Sequence, residues 1–167
     1  TDSRHPVVLD FEFSSGRSES GGWRATWSPG VTWKPTSGIN FRFSPDFNHN
    51  ITIAQWVNNY EDPTATQTFG SRYIFGRLDQ NEIGATIRLD WTFTPKLTLQ
   101  LYLQPLISVG TYTQFKELKE PGTYTFNRYG VDNNSEINFI DSTNFYSVDP
   151  DGAGPISSFS FGNPNFN

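Results

Sequence analysis

The sequence predicts an all-β chain of antiparallel strands, and three observations carry that expectation. Apolar and polar residues alternate with a period of two over most of the first 130 residues, helical spacing is nowhere sustained, and the gaps between alternating runs hold turn-forming residues. The length of 167 residues is that of one domain or a piece of a larger one. A hydrophobic fraction of 35% and a mean hydropathy of −0.54 leave no run near the ~20 apolar residues of a spanning helix, which excludes a helical membrane protein. The absence of Cys removes disulfides, thiol nucleophiles and thiolate zinc sites, and His5 and His49 are the only imidazoles. The net charge of −5, with Lys and Arg scattered, argues against a nucleic-acid partner. No secretory signal is visible, and Thr1 in place of Met suggests a processed or excised chain.

About seven candidate strands follow. Val7, Leu9, Phe11 and Phe13 alternate with Val8, Asp10 and Glu12, and Trp23, Ala25, Trp27, Val31 and Trp33 with Arg24, Thr26, Ser28 and Thr32. From Ile39 to Val57 the odd positions include Phe41, Phe43, Phe47, Ile51 and Ile53. A strand from about Gln67 to Leu78 sets Phe69, Tyr73 and Phe75 against Gly70, Arg72 and Gly76. The clearest hairpin pairs Ile83, Ala85, Ile87, Leu89, Trp91 and Phe93 with Leu97, Leu99, Leu101 and Leu103 across the turn Thr94-Pro95-Lys96, and its second strand runs on to Tyr112. Lys34-Pro35-Thr36-Ser37-Gly38 and Asp79-Gln80-Asn81 read as further turns. Tyr124 to Tyr129 adds a short strand. Residues 1–130 are therefore expected to form the sheet, and residues 131–167 a long loop or C-terminal arm that continues into closing strands absent here.

Strand length separates two architectures. Glu82–Phe93 and Leu97–Val109 are about twice the ~5–6 residues of an ordinary strand. At ~3.3 Å per residue and a tilt near 40° they rise roughly 30 Å, enough for the ~25 Å apolar band of an outer-membrane barrel. The expected fold is thus an antiparallel up-and-down transmembrane β-barrel, present in part, with a soluble β-sandwich as the alternative. In the barrel, Ile83, Ile87, Leu89, Trp91, Phe93, Leu97, Leu99, Leu101 and Leu103 face lipid, with Trp91 and Phe93 in an aromatic girdle. Arg72, Arg88, Asp90, Gln100 and Gln104 are the best-placed residues to line its polar lumen. Seven strands fall short of the eight or more of a closed bacterial barrel, so other strands or subunits are expected to complete it.

Catalytic and metal motifs are weak. Asp10 and Glu12 could place carboxylates ~6–7 Å apart, a glycosidase spacing, but an ordinary polar wall explains them better. Asp149-Pro150-Asp151-Gly152 has the start of a calcium loop, yet Ala153 stands where a third oxygen donor belongs, and a surface turn is the better reading. His49 has no histidine partner in its segment and reads as an interface residue just beyond the lipid band. Trp23, Trp27 and Trp33 share a strand face that suits either a girdle or a sugar-stacking platform, and Trp56, on the even face, fits neither reading. The expectation is no enzyme, no metal and no cofactor.

The run Tyr73-Ile74-Phe75-Gly76-Arg77-Leu78-Asp79-Gln80, then Ile87-Arg88-Leu89-Asp90-Trp91-Thr92-Phe93-Thr94-Pro95-Lys96-Leu97 through Pro105, and Gly110-Thr111-Tyr112 with Phe115-Lys116-Glu117-Leu118, resembles the C-terminal region of a bacterial outer-membrane β-barrel family of unassigned function. Members of that family carry an N-terminal family-nine carbohydrate-binding module, which this chain lacks. The similarity fades after residue 118 and returns at Val148-Asp149-Pro150-Asp151-Gly152 and Asn163-Pro164-Asn165-Phe166. The resemblance implies a fragment of a larger barrel in the outer membrane of a Gram-negative bacterium, and no catalytic residue is carried over. The expected function is a structural or pore role at the cell surface with lipid as partner. The alternatives are a secreted or periplasmic sandwich that binds a glycan, and a structural subunit of a surface assembly.

Overall fold

The computed structural model describes residues 5–167. Thr1, at the expected processed end, lies outside them. The chain is all-β and antiparallel, with one 3-10 turn at Thr66–Thr68 and no α-helix among the described residues. Ten strands form: β1 (Val7–Arg17), β2 (Trp23–Thr36), β3 (Ile39–Glu61), β4 (Ser71–Thr94), β5 (Leu97–Leu103), β6 (Leu106–Leu118), β7 (Phe126–Arg128), β8 (Glu136–Ile140), β9 (Phe145–Asp149) and β10 (Phe159–Gly162). The first seven make one curled sheet in the order β1-β2-β3-β4-β6-β7, with β5 beside the lower part of β4.

Two expected boundaries change. Asp79-Gln80-Asn81 is no turn, because β4 runs unbroken for 24 residues. Its polar triplet is satisfied across the sheet: Asp79 Oδ1 lies 2.9 Å from His49 Nε2, and Gln80 Nε2 donates to Ser108 Oγ at 3.0 Å. The strand after Leu97 breaks at Gln104-Pro105, since proline has no N–H for the ladder, and resumes as β6.

Register fixes the faces. Every β1–β2 pair, the β2–β3 pairs from Trp23↔Ile51 to Trp33↔Phe41 and the β3–β4 pairs from Ile39↔Trp91 to Thr52↔Leu78 join residues of equal parity, so the apolar odd positions of four strands share one face. Above Thr52, β3 takes two bulges against β4, which move Trp56 opposite Phe75 and onto the odd face. Alternation alone puts Trp56 on the even face, and the bulges correct that placement. Between β2 and β3 the ladder is interrupted from Ser28 to Gly30, where Pro29 and Pro45 contribute no N–H.

The even face is the concave one. Gly30, Gly76, Gly84 and Gly110 lie on it, where space is short: a Cβ on Gly30 falls 2.3 Å from Asp10 Oδ2, one on Gly84 falls 2.7 Å from Asp46 Oδ2, and one on Gly76 sits tightly, 3.1 Å from the Tyr112 ring. Crowding on this side and splayed, exposed side chains on the other are what curvature imposes.

The region past Val131, expected to be a loop or arm, folds into a second sheet of order β10-β9-β8. Its strands are four or five residues long, too short for a period to show in sequence. The sheet packs on the upper part of the concave face. The core there joins Ile74 and Phe115 of the large sheet to Tyr129, Val148 and Phe161, with Phe115 and Phe161 ring centroids 5.1 Å apart. The chain end returns to β6 through backbone hydrogen bonds between Gly110 and Phe166 in both directions. Gly110→Ala is expected to expel the Phe166 ring, whose Cζ lies 2.3 Å from the added Cβ, at a cost of about 1–3 kcal/mol. Hydrogen exchange of the Gly110 and Phe166 amides should quicken while that of β3 and β4 stays unchanged.

Candidate functional site

Two surfaces of the large sheet carry functional character. The odd face is apolar and bare. Leu9, Phe11, Ile83, Leu97, Leu99, Leu101, Leu103 and Ile107 are all more than two-fifths exposed, and no other described residue packs over them. Trp91 and Phe93 are exposed beside them with rings stacked 4.3 Å apart, while Ile87 and Leu89 are half-buried between neighbouring strands. The nine residues assigned to lipid therefore lie together on this face.

Aromatic residues frame it at both ends. The lower row holds Trp33, Phe41, Trp91 and Phe93, near the β2–β3 and β4–β5 turns. The upper row holds Trp27 stacked on Phe47 at 5.1 Å and Trp23 edge-on to His49 at 4.7 Å. From the Ile39–Trp91 pair to the Trp23–Ile51 pair is about 12 residues of β3, which is ~40 Å of strand and ~30 Å of height at a tilt near 40°. Polar groups enter this face at the upper row, as the His49–Asp79 pair and Asn81.

Below the second sheet the even face is a polar wall. Thr26 donates to Asn48 (3.0 Å), Asn48 to Glu82 (2.8 Å), and Gln80 to both Glu82 and Ser108 (3.0 Å each). Lower down, Arg42 pairs with Asp10 at 3.2 Å, and Asp90 receives Arg88 Nε and Gln100 Nε2, each at 3.2 Å. Arg88, Asp90 and Gln100 thus meet on the even face. Gln104 sits in the break between β5 and β6. Asp10, offered as half of a carboxylate pair, is engaged by Arg42 instead.

Arg72 is corrected. It is 7% exposed and lies beneath the second sheet, so it does not line an open wall. Its Nε donates to Asp62 Oδ2 at 2.6 Å and its Nη1 to Glu117 Oε2 at 2.5 Å, and Glu117 also accepts from Tyr129 Oη (3.1 Å) and Asn127 Nδ2 (3.2 Å). Burial, then the adjacent Glu117 carboxylate, pushes the Tyr129 phenol far above its ordinary value and keeps it a donor. For Asp62, burial works against ionisation, but hydrogen bonds from Thr64 and Arg72 and the Arg72 charge outweigh it and hold the carboxyl below 3.8. A lowered folded value means that Asp62 stabilises the loop at pH above the unfolded value, and that this is lost as pH falls through the folded one. Proteolysis of the 62–70 loop is therefore expected to be flat from pH 8 to pH 5 and to rise below about pH 4.

No group of three or more His, Cys, Asp and Glu able to hold a metal ion occurs among the described residues. The Asp149 carboxylate accepts the N–H groups of Asp151 (3.3 Å) and Gly152 (2.9 Å), and Asp151 that of Ile156 (3.2 Å), so both close turns. The buried Arg72 cluster was missed in the sequence because its partners lie 10 and 45 residues away. The even spacing of the strand glycines was the available signal for the concave side.

Fold and faces define a class: an antiparallel curled β-sheet, apolar outside and polar inside. The profile of a family described as a domain of unknown function (DUF5916) matches residues 1–150, and the chain belongs to that family. No match was found among curated proteins or among solved structures.

Proposed function

We propose that the large sheet is part of the wall of an outer-membrane β-barrel, with the odd face in lipid and the even face lining a polar interior. One observation carries this reading: the second sheet covers only the upper, apolar part of the concave face, and no described residue covers the apolar odd face below it. A soluble sandwich would bury that odd face against another sheet. The aromatic rows and the ~30 Å between them support the same reading. The outer edges of β1 and of β5 and β6 carry unpaired backbone groups over most of their length, and further barrel strands or another subunit would satisfy them. The role is structural or concerned with passage at the cell surface.

The test is heat-modifiable migration. The full-length protein, extracted in detergent from a bacterial outer membrane, should migrate as a compact species unheated and as an unfolded one after boiling. A protein that stays folded and monomeric in plain buffer would remove lipid from the odd face.

A further inference from the structure

We infer that the convex face holds a site for one membrane lipid with a phosphorylated, negatively charged headgroup, in two adjoining dents capped by Arg17 and Trp23 at the upper end of β1 and β2. The site rests on the barrel reading proposed above for its contact with lipid.

Parity builds the walls. Ser15 pairs with Ala25 and Arg17 with Trp23, so these side chains project from the odd face just above the row of Phe13, Trp27, Phe47 and Ile83. Ser15 and Ala25 are small among large neighbours and floor an open dent of about 360 Å3 walled by Arg17 and Trp23. Ala25 also borders a second dent of about 310 Å3, lined by Phe13, Trp27, Phe47 and Ile83 with His49 and Asn81 at its upper rim. Across one small residue the surface passes from apolar to cationic, which is the order of acyl chain and headgroup in a lipid.

Charge singles out Arg17. Its guanidinium makes no hydrogen bond or ion pair with any described residue. The other charges nearby are engaged or turned away. His49 holds Asp79 at 2.9 Å, Arg77 lies 3.8 Å from the same carboxylate, and Arg24 and Glu12, at even positions, project from the concave side. Glu19 lies in the turn beyond Arg17, on the water side, and makes no ion pair with it. A guanidinium offers a phosphate two parallel donors, and the exposed Trp23 indole carries a further N–H.

Height selects a lipid over a free anion. Arg17 is level with the Trp23–Ile51 pair that bounds the ~30 Å between the aromatic rows, where hydrocarbon gives way to headgroups. Below the dents the apolar face continues through Phe11 and Leu9, both more than three-fifths exposed, and gives acyl chains a bed.

The experiment is native mass spectrometry of the full-length protein in neutral detergent with equimolar phosphatidylglycerol and phosphatidylcholine of matched chains. One phosphatidylglycerol should be retained at least about fivefold more often than phosphatidylcholine, the factor that one Arg contributes beside an anionic lipid. Arg17→Gln should bring the two lipids close to parity, while Arg88→Gln, on the opposite face, leaves the preference unchanged. Glycerol 3-phosphate, which has the phosphate without the chains, should not displace the lipid. Equal retention of the two lipids by the parent protein, an unaltered preference in Arg17→Gln, or displacement by glycerol 3-phosphate would overturn the assignment. Heat-modifiable migration is scored on the same samples. A preference that depends on Arg17 without such migration keeps the site and removes the barrel, whereas a heat-modifiable barrel without the preference removes the site alone.

Discussion

Leu103→Lys is expected to destabilise the protein in lipid by about 2–4 kcal/mol, the cost of an ammonium at the middle of a barrel's lipid face. Leu103 pairs with Ile87, which pairs with Phe43, and this row lies between the two aromatic rows. The residue is 47% exposed in the isolated chain, and a water-facing residue so exposed would tolerate Lys within about 0.5 kcal/mol. The contrast is therefore large enough to read. Gln100 on the same strand supplies the internal control, because it projects from the opposite face and donates to Asp90. Gln100→Lys should change stability far less. Urea unfolding in vesicles, followed by Trp fluorescence, measures both variants, and equal small effects would place water on both faces.

Arg72→Ala is expected to cost about 3–5 kcal/mol, because it leaves the Glu117 carboxylate buried without its cation. The consequence is local in space. Glu117 also holds Tyr129, which belongs to the core between the two sheets, so the second sheet should loosen first. Limited proteolysis between β8 and β10 should accelerate while the β3–β4 ladder, the longest in the fold, stays protected. Replacing Arg72 and Glu117 together by Met and Leu should recover much of the loss, since the desolvation cost goes with the charges. An Arg72→Ala protein as resistant as the parent would mean that the ion pair holds nothing in place.

The strands and their faces were legible because one face must differ from the other wherever a sheet is two-sided, and Ile83 to Phe93 and Leu97 to Leu103 keep that difference without a break. Legibility failed where the cause was distant. Asp79, Gln80 and Asn81 have the composition of a turn, and only partners on β3 and β6 make them strand. Trp56 changed faces through bulges whose position depends on pairing with β4. Val148 and Phe161 sit at the centre of a core, yet each lies in a strand too short to display alternation. At the site, Arg88 and Asp90 could be placed by parity alone. Arg42 opposite Arg88 required the register between β3 and β4, which alternation leaves free to slip by two.

The unbroken length of β4 has a mechanical consequence. Its 24 residues amount to ~80 Å of strand, and an apolar band of ~25 Å accounts for less than half of that even at a steep tilt. The remainder is a stiff mast, braced on both sides by β3 and β6. The second sheet is moored to that mast by a packed core, so on the barrel reading proposed above it would be held at a fixed height and bearing relative to the bilayer. Force applied to it would pass down the ladder into the large sheet without being absorbed by a flexible loop.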